Sequence, residues 1–192
     1  MKKLYFTRHG QTVWNVANKI CGATDVELTQ KGHKQAVTLG KMIAAACRGD
    51  ESAAALLPRG IHIDEILYSP LMRAAETARH ISEETGIPMR AEMRLKEQNF
   101  GRYEATPRNG AEFQAAKAQF TNRYGGGESM MQMAQRIYNL LDEIKNEPGD
   151  KTYLLVGHNG IARIVRSYFC EMTNEEFAMY GIRNCEVVEF EF

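Results

Sequence analysis

The most restrictive feature of the sequence is the run from Thr152 to Val156, which is apolar almost without interruption. This pattern is typical of a strand that is buried on both faces of a parallel sheet. Parallel strands are joined by crossover connections, usually helices, that cover the faces of the sheet. The run is followed by Gly157, His158 and Asn159, so polar chemistry begins where this strand ends.

A second strand of the same kind is predicted near the amino terminus. Residues 3–8 are largely apolar and lead into Arg8, His9 and Gly10, and residues 12–20 predict a short helix after them. The carboxyl ends of parallel strands meet at one edge of the sheet, where open α/β folds bind their ligands. We therefore expect His9 and His158 to lie side by side at that edge.

Strand and helix patterns alternate through the rest of the chain. Thr29 is the predicted N-cap of a helix whose buried stripe runs from Ala36 to Cys47. Further helices are predicted from residue 71 to near Gly86, over 130–144 and over 161–169. Strands are predicted over 61–69, 89–95 and, at one edge, 186–192. Residues 48–60 predict a surface excursion. The pattern predicts an α/β fold, a three-layer sandwich with a mostly parallel central sheet and helices on both faces.

One long stretch, residues 98–127, has little periodicity apart from a helical pattern around 111–120. Long excursions in compact domains are usually lids or poorly ordered segments, and we expect a lid within a single domain that spans residues 1–192. The run from Gly125 to Ser129 resembles a phosphate-binding loop, but no strand precedes it and no lysine follows it. We interpret it as the hinge and cap of the next helix.

Composition excludes several classes of function. The chain has 24 basic and 24 acidic side chains, and this balance disfavours nucleic acid and anionic membranes as partners. Its four cysteines lack the spacing of a zinc site or a disulfide framework. No apolar run approaches the roughly 20 residues that span a bilayer, and no signal-peptide pattern is present. We expect a cytoplasmic protein, a monomer or homodimer, that binds neither nucleic acid nor membrane.

The charged residues at the predicted sheet edge favour an anionic ligand. Arg8 ends the first strand and Arg73 lies in the first turn after the second, so both can reach the same crevice. Arginine binds phosphate oxygens with paired N–H donors, a geometry that lysine does not reproduce. Gly10 lets the backbone turn sharply and approach a ligand. Further hydrogen-bonding side chains beside it are Gln11, Thr12 and Asn15.

Four motifs occur in a fixed order along nearly the whole chain. They are Arg8-His9-Gly10-Gln11-Thr12 with Asn15, Ser69-Pro70-Leu71 with Arg73 and Glu76-Thr77-Ala78, Glu97 before Phe100-Gly101, and Gly157-His158. In this order and at these separations they resemble the histidine phosphatase superfamily, in its cofactor-dependent phosphoglycerate mutase-like branch. The resemblance implies an α/β sandwich and a reaction through a phosphohistidine, with no metal and no other cofactor.

The resemblance also implies a role for each matching residue. His9 is the expected nucleophile and must be neutral to attack phosphorus, which nearby arginines favour. Glu97 is the expected general acid, and later the base that activates water. The residues expected to bind the phosphoryl group are Arg8, Arg73, His158 and Asn15, and the remaining substrate contacts are assigned to Gly10, Gln11, Thr12 and Asn159. Glu104 is the rival carboxylate, and we interpret it as a structural loop residue.

The substrate stays open at this stage. The chain is short for a mutase, and Gln98-Asn99 replaces the Arg-His of a mutase pattern that resembles Glu-Arg-His-Tyr-Gly. We therefore expect a phosphomonoester hydrolase that acts on a small phosphorylated metabolite. The alternatives are a phosphoglycerate mutase and a catalytically inactive binding module. Ala23, Ala105 and Asn159 also depart from the family pattern. The residues interpreted as ordinary surface or packing positions are His33, His62, His80, Arg163 and Arg166.

Overall fold

Five strands form one sheet in this computed structural model, which describes residues 2–50, 57–58 and 60–192. The strands are Lys3–Arg8 (β1), Glu65–Tyr68 (β2), Met89–Ala91 (β3), Tyr153–Gly157 (β4) and Val187–Glu191 (β5). Their order across the sheet is β3-β2-β4-β1-β5. All neighbours pair in parallel except β5, which pairs antiparallel with β1 at one edge.

Helices cover both faces of this sheet. They are Val13–Val16 (α1), Gln30–Cys47 (α2), Met72–Thr85 (α3), Ala111–Lys117 (α4), Met130–Asn146 (α5), Asn159–Phe169 (α6) and Asn174–Met179 (α7), with short 3₁₀ helices at Met93–Leu95 and Gly101–Tyr103. Thr29 caps α2 by accepting from the Gly32 amide, as predicted. None of the helices in the described part of the chain is long and apolar enough to cross a bilayer.

Alternate residues of the central strands enter two separate cores. Leu4 and Leu155 pack into the core on the α5 and α6 face, and Tyr5 and Leu154 pack into the core on the α2 and α3 face. All four are 0 % exposed, so both faces of β1 and β4 are covered. This confirms the predicted three-layer α/β sandwich, because an apolar strand is stable only where helices cover both of its faces.

The register of the sheet places the two histidines together. Arg8 pairs with Gly157 at the carboxyl end of the β1–β4 ladder, and the His9 amide donates to the Gly157 carbonyl at 3.0 Å. Ser69 follows β2 at the same level, where its amide donates to the Val156 carbonyl. Three strand ends therefore deliver polar residues to one edge of the sheet.

Residues 98–127 have a small core of their own. Tyr103, Phe113 and Tyr124 pack against one another and against Ile20, which lies outside the segment. The Ile20 amide also donates to the Thr106 carbonyl, and the Ala105 amide donates to the Ile20 carbonyl. The segment is thus ordered on its own aromatic cluster and is tied to the loop after α1.

Several predicted boundaries were wrong. Cys47, assigned to the buried stripe of α2, is exposed because it ends the helix. The third strand stops at Ala91, where the chain turns into a 3₁₀ helix, and the short helix predicted over 12–20 covers only Val13–Val16. Helix α7 was not predicted. Most of the excursion predicted over 48–60, namely 51–56 and 59, lies outside the described residues.

Candidate functional site

The two histidines at the sheet edge are in contact and buried. The ring centroids of His9 and His158 lie 5.2 Å apart, and the side chains are 5 % and 0 % exposed. Each ring follows a parallel strand, β1 or β4, so neighbouring ladder positions fix both. The structure therefore brings these two predicted residues together as expected.

The hydrogen bond of His9 determines which ring nitrogen is free. Nδ1 lies 2.7 Å from the Gly10 carbonyl oxygen, and because a carbonyl only accepts, Nδ1 carries the proton. In the neutral ring, Nε2 then keeps its lone pair. Burial, followed by the charges of Arg73 and Arg8, lowers the pKa of His9 well below its usual value, so the ring is neutral near pH 7.

His158 has the opposite tautomer. The Nε atom of Arg73 donates to its Nδ1 at 3.2 Å, and since guanidinium only donates, Nδ1 must be the acceptor. The proton of the neutral ring therefore sits on Nε2, which donates to Ser69 Oγ at 2.7 Å. Burial and then the Arg73 charge lower the pKa of His158 well below its usual value.

Arg73 lies under the site and joins three segments. Besides its bond to His158, its two terminal nitrogens donate to the Thr24 carbonyl at 2.9 Å and the Gly22 carbonyl at 2.7 Å. A guanidinium has five N–H donors, so two remain for a ligand. The side chain is 0 % exposed and sits in the first turn of α3. Its carbonyl accepts from Thr77 Oγ1, which in turn accepts from the Gly10 amide.

Arg8 and Asn15 face the pocket directly. Arg8 donates one terminal nitrogen to the Ile182 carbonyl at 3.0 Å, while its buried Nε has no hydrogen-bond partner in the described part of the chain. Burial, then repulsion from Arg108, lowers the pKa of Arg8 to about 10, so it stays protonated. The Asn15 oxygen accepts from the Thr12 amide, which leaves the amide nitrogen of Asn15 available as a donor.

Glu97 is held by two backbone amides beside the histidines. One oxygen accepts from the Gln98 amide and the other from the Gly160 amide, both at 2.9 Å. A Cβ on Gly160 would lie 2.4 Å from Glu97 Oε1, so any other residue there would displace this carboxylate. Glu97 lines the pocket and is only 7 % exposed, so the pocket that contains His9 also contains a carboxylate whose orientation is fixed.

The pocket at this edge has a volume of about 160 Å³. The predicted residues that line it are Arg8, His9, Asn15, Glu97 and Asn159. Arg73 and His158 are fully buried and are not among the lining residues, although both adjoin His9: the ring of His158 contacts it and the charge of Arg73 lowers its pKa. Asn159 uses its side-chain oxygen to accept from the Ile182 amide at 3.0 Å.

Gly10, Gln11 and Thr12 are not among the residues that line this pocket, and their assignment to substrate contacts stays a prediction. Gly10 packs against the backbone of α2, where a Cβ would lie 2.4 Å from the Gly32 oxygen. The Gln11 oxygen accepts from Thr29 Oγ1, and the Thr12 hydroxyl caps α1. Through these contacts the three residues shape the loop after β1.

The structural interpretation of Glu104 is confirmed. Its oxygens accept from the amides of Gly22, Ala23 and Phe100, each at 3.0 Å, and from Thr24 at 3.4 Å. It thereby ties residues 98–127 to the same loop whose carbonyls hold Arg73. Ser129 is likewise the N-cap of α5 and accepts from the Gln132 amide, as predicted.

Sequence reasoning missed several residues at the site. Ser69 appeared only within a motif, yet its hydroxyl is the hydrogen-bond partner of His158. Arg163, assigned to the outer face of α6, lines the pocket together with Arg108 and Lys117. Only its position five residues after His158, one turn into the helix, could have indicated this. Arg108 and Lys117 carry no periodic signal, because the irregular path of residues 98–127 brings them there.

One group of side chains in the described part of the chain can hold a metal ion, and it lies away from the pocket. It consists of His33, Glu76 and His80 on α2 and α3. The two rings bond each other, with His33 Nδ1 2.9 Å from His80 Nε2, and Arg79 pairs with Glu76 at 2.7 Å. Partners within the protein thus occupy these groups, consistent with their interpretation as packing residues.

Comparisons with known proteins point to one family. Residues 4–192 match the histidine phosphatase superfamily (branch 1). A probable phosphoglycerate mutase GpmB from Erwinia tasmaniensis is 28 % identical over 97 % of this chain and 83 % of the relative. The solved mycobacterial glucosyl-3-phosphoglycerate phosphatase is 25 % identical, with a TM-score of 0.78 over 98 % of this chain and 90 % of that chain. Bacillus stearothermophilus YhfR is also 25 % identical, with a TM-score of 0.79 over 100 % of this chain and 91 % of its own. Because the match spans nearly the whole chain, this protein belongs to branch 1 of the histidine phosphatase superfamily.

Proposed function

We propose that the protein hydrolyses phosphate monoesters of small metabolites through a phosphohistidine on Nε2 of His9. The observation that carries the proposal is the 2.7 Å bond between His9 Nδ1 and the Gly10 carbonyl, which leaves Nε2 as the unprotonated nitrogen of a neutral ring that lines the pocket. A neutral imidazole with a free lone pair is a competent nucleophile at phosphorus.

In the first step, the Nε2 lone pair attacks phosphorus and the bond between phosphorus and the ester oxygen breaks. The departing alkoxide takes a proton from Glu97, which acts as general acid. In the second step, Glu97 as carboxylate removes a proton from water, the water oxygen attacks phosphorus, and the bond to Nε2 breaks. The products are an alcohol and inorganic phosphate, and the enzyme returns to its starting state.

The negative charge on the transferring phosphoryl group is stabilised by hydrogen-bond donors that the fold holds in place. Arg8 contributes from the pocket wall, Asn15 through its amide nitrogen, and Arg73 through its two remaining N–H groups. The Nε2 proton of His158 can exchange Ser69 Oγ for a phosphoryl oxygen. Such preorganised donors supply most of the catalysis of phosphoryl transfer. No step in this scheme requires a metal ion.

The substrate side of the proposal rests on residues 98–127, which we propose act as a lid within one domain. This segment contributes Phe100, Arg108, Phe113 and Lys117 to the pocket wall. A pocket of about 160 Å³ suits a small molecule better than a folded phosphoprotein. The likeness to a glucosyl-3-phosphoglycerate phosphatase supports hydrolysis.

Phosphoglycerate mutase activity is the second candidate, because relatives named probable phosphoglycerate mutase match almost the whole chain. A mutase must keep water from the phosphohistidine and return the phosphoryl group to a second hydroxyl. Gln98 occupies the position at which the mutase pattern resembles Glu-Arg-His-Tyr-Gly and has its arginine. The Gln98 side chain instead donates to the Glu128 carbonyl. This difference supports hydrolysis over transfer.

The experiment that tests the proposal is an assay of p-nitrophenyl phosphate and a panel of phosphate esters in EDTA, with His9→Ala beside His62→Ala. His62 is a histidine on the surface, 74 % exposed. We expect turnover in EDTA, a loss of at least about a thousandfold in His9→Ala, and no change in His62→Ala. Undiminished turnover in His9→Ala would contradict the mechanism. Transfer of phosphate between phosphoglycerates with little release of free phosphate would show that the protein is a mutase. No activity on any ester would favour a binding module.

A further inference from the structure

The pocket carries more positive charge than one phosphoryl group needs. Three cations line it in addition to Arg8, namely Arg108, Lys117 and Arg163, against a single acidic side chain, Glu97. The chain as a whole has no net charge, so this excess is local. Cations concentrated in a concave site focus a positive potential on whatever binds there.

Two of these cations are anchored through Nε, which leaves their terminal guanidinium nitrogens free. Arg108 donates its Nε to the Lys19 carbonyl at 2.8 Å, and Arg163 donates its Nε to the Tyr180 carbonyl at 2.7 Å. Within the described part of the chain, neither guanidinium makes a further hydrogen bond or ion pair. A guanidinium fixed through Nε presents its two terminal nitrogens side by side, the arrangement that binds a carboxylate or phosphate with two bonds.

Lys117 completes the group from the last turn of α4. It makes no hydrogen bond or ion pair with another described residue, although it is half-buried. Burial and then repulsion from Arg163 lower its pKa to about 8, with Arg108 adding to the repulsion and Glu97 opposing it. Holding unpaired cations together in a partly desolvated wall is unfavourable unless an anion joins them.

The charges that act on His9 differ from those that act on Lys117. Arg73 and Arg8 act most strongly on His9, where the phosphoryl group reacts. The charges that act on Lys117 are those of Arg163, Glu97 and Arg108, and neither Arg8 nor Arg73 is among them. Lys117 thus shares the pocket with His9 but is affected by a different set of charges, and only Arg108 acts on both.

We propose that Lys117 and Arg163, together with Arg108, bind a second anionic group of the substrate, so that the enzyme prefers phosphate esters that also carry a carboxylate or another phosphate. This inference rests on the proposed function, because it concerns the same pocket. Phe100 and Phe113 also line the pocket and offer apolar surface to a short carbon skeleton.

The test compares esters that share a skeleton and differ in charge. Glycerol 3-phosphate and 3-phosphoglycerate differ in a carboxylate, whereas fructose 6-phosphate and fructose 1,6-bisphosphate differ in a phosphate. In the pair whose extra group fits the proposed site, we expect kcat/KM to be about tenfold or more higher for the more anionic ester, mainly through a lower KM. The pair that responds distinguishes a carboxylate from a phosphate.

Variants at Lys117 locate the effect. In Lys117→Met the preference between paired esters should collapse toward one, whereas Lys117→Arg should keep it. Lys145→Met, which removes an exposed lysine from α5, should leave both esters of each pair unchanged. As pH rises through about 8, the preference should fall in the unaltered protein as Lys117 loses its charge, and should persist in Lys117→Arg.

The outcomes separate this inference from the proposed function. Turnover of p-nitrophenyl phosphate that depends on His9, without preference within either pair, would overturn the second anion site and leave the phosphohistidine mechanism intact. A preference that survives Lys117→Met and Arg163→Met would also overturn it. If neither p-nitrophenyl phosphate nor any of these esters is hydrolysed, the proposed function is overturned, and the inference with it.

Discussion

Arg73 donates through Nε to Nδ1 of His158 across 3.2 Å, and this contact joins the first turn of α3 to the end of β4. Because guanidinium only donates, the contact places the proton of neutral His158 on Nε2. The same guanidinium holds the carbonyls of Gly22 and Thr24. One side chain therefore determines both the tautomer of a histidine and the path of a loop.

Replacing this side chain by another cation tests how much the geometry matters. We expect Arg73→Lys to lower kcat/KM for p-nitrophenyl phosphate by about a hundredfold, because a lysine cannot bond His158 and both carbonyls at once. Arg79→Lys, at an outward position of the same helix, is the matched control and should change little. Equal activity of the two variants would show that only the charge at position 73 is needed.

The opposite tautomers of the two histidines can be observed directly. Nitrogen-15 NMR of the free enzyme should show His9 protonated at Nδ1 and His158 at Nε2. Burial and the arginine charges lower both pKa values well below 6.5, so both rings should remain neutral as the pH falls through that value. Doubly protonated rings at pH 6.5 would contradict the proposed electrostatics.

Glu104 supports the site from a distance. Its four backbone donors include the amides of Gly22 and Thr24, whose carbonyls hold Arg73. We expect Glu104→Ala to lower the free energy of unfolding by about 2–3 kcal/mol, since several half-buried amides lose their acceptor. It should also lower kcat. Urea unfolding with Glu112→Ala, an exposed acidic position on α4, provides the comparison, and equal stability of the two variants would refute the role.

Ala105 occupies a conformation that favours glycine. Its φ is +66°, in the left-handed region that a Cβ disfavours. We expect Ala105→Gly to raise the free energy of unfolding by about 0.5–1 kcal/mol, the relief of this strain exceeding the added flexibility of the unfolded chain. Ala115→Gly, inside α4, should instead destabilise the protein by about 1 kcal/mol. Thermal unfolding measures both, and destabilisation by Ala105→Gly would contradict this assignment.

Much of the fold follows from patterns that burial imposes on the sequence. The apolar run of β4 and the apolar β1 predicted a parallel core, and both strands are buried on two faces. Short elements were harder to predict because few residues define them. Helix α7 has six residues and depends on its Thr173 capping box, while β3 has three and turns at once into a 3₁₀ helix.

The site was predictable where residues are fixed by strand ends. His9, His158 and Glu97 lie together as the motifs implied, because β1 and β4 deliver the histidines and two backbone amides hold the carboxylate. Gln11 and Thr12 have polar side chains that local partners occupy first, which a linear pattern does not reveal. Arg108 and Lys117 reach the pocket only through the tertiary packing of residues 98–127.

The most direct measurement is to trap the phosphorylated enzyme. Rapid denaturation during turnover of p-nitrophenyl phosphate, followed by peptide mapping in alkali, should find one phosphoryl group on the peptide that contains His9, attached at Nε2. The adduct should be lost in acid, as a phosphohistidine is, and should be absent from His9→Ala. Product formation with no phosphorylated peptide, or with the phosphoryl group on another residue, would contradict the central claim.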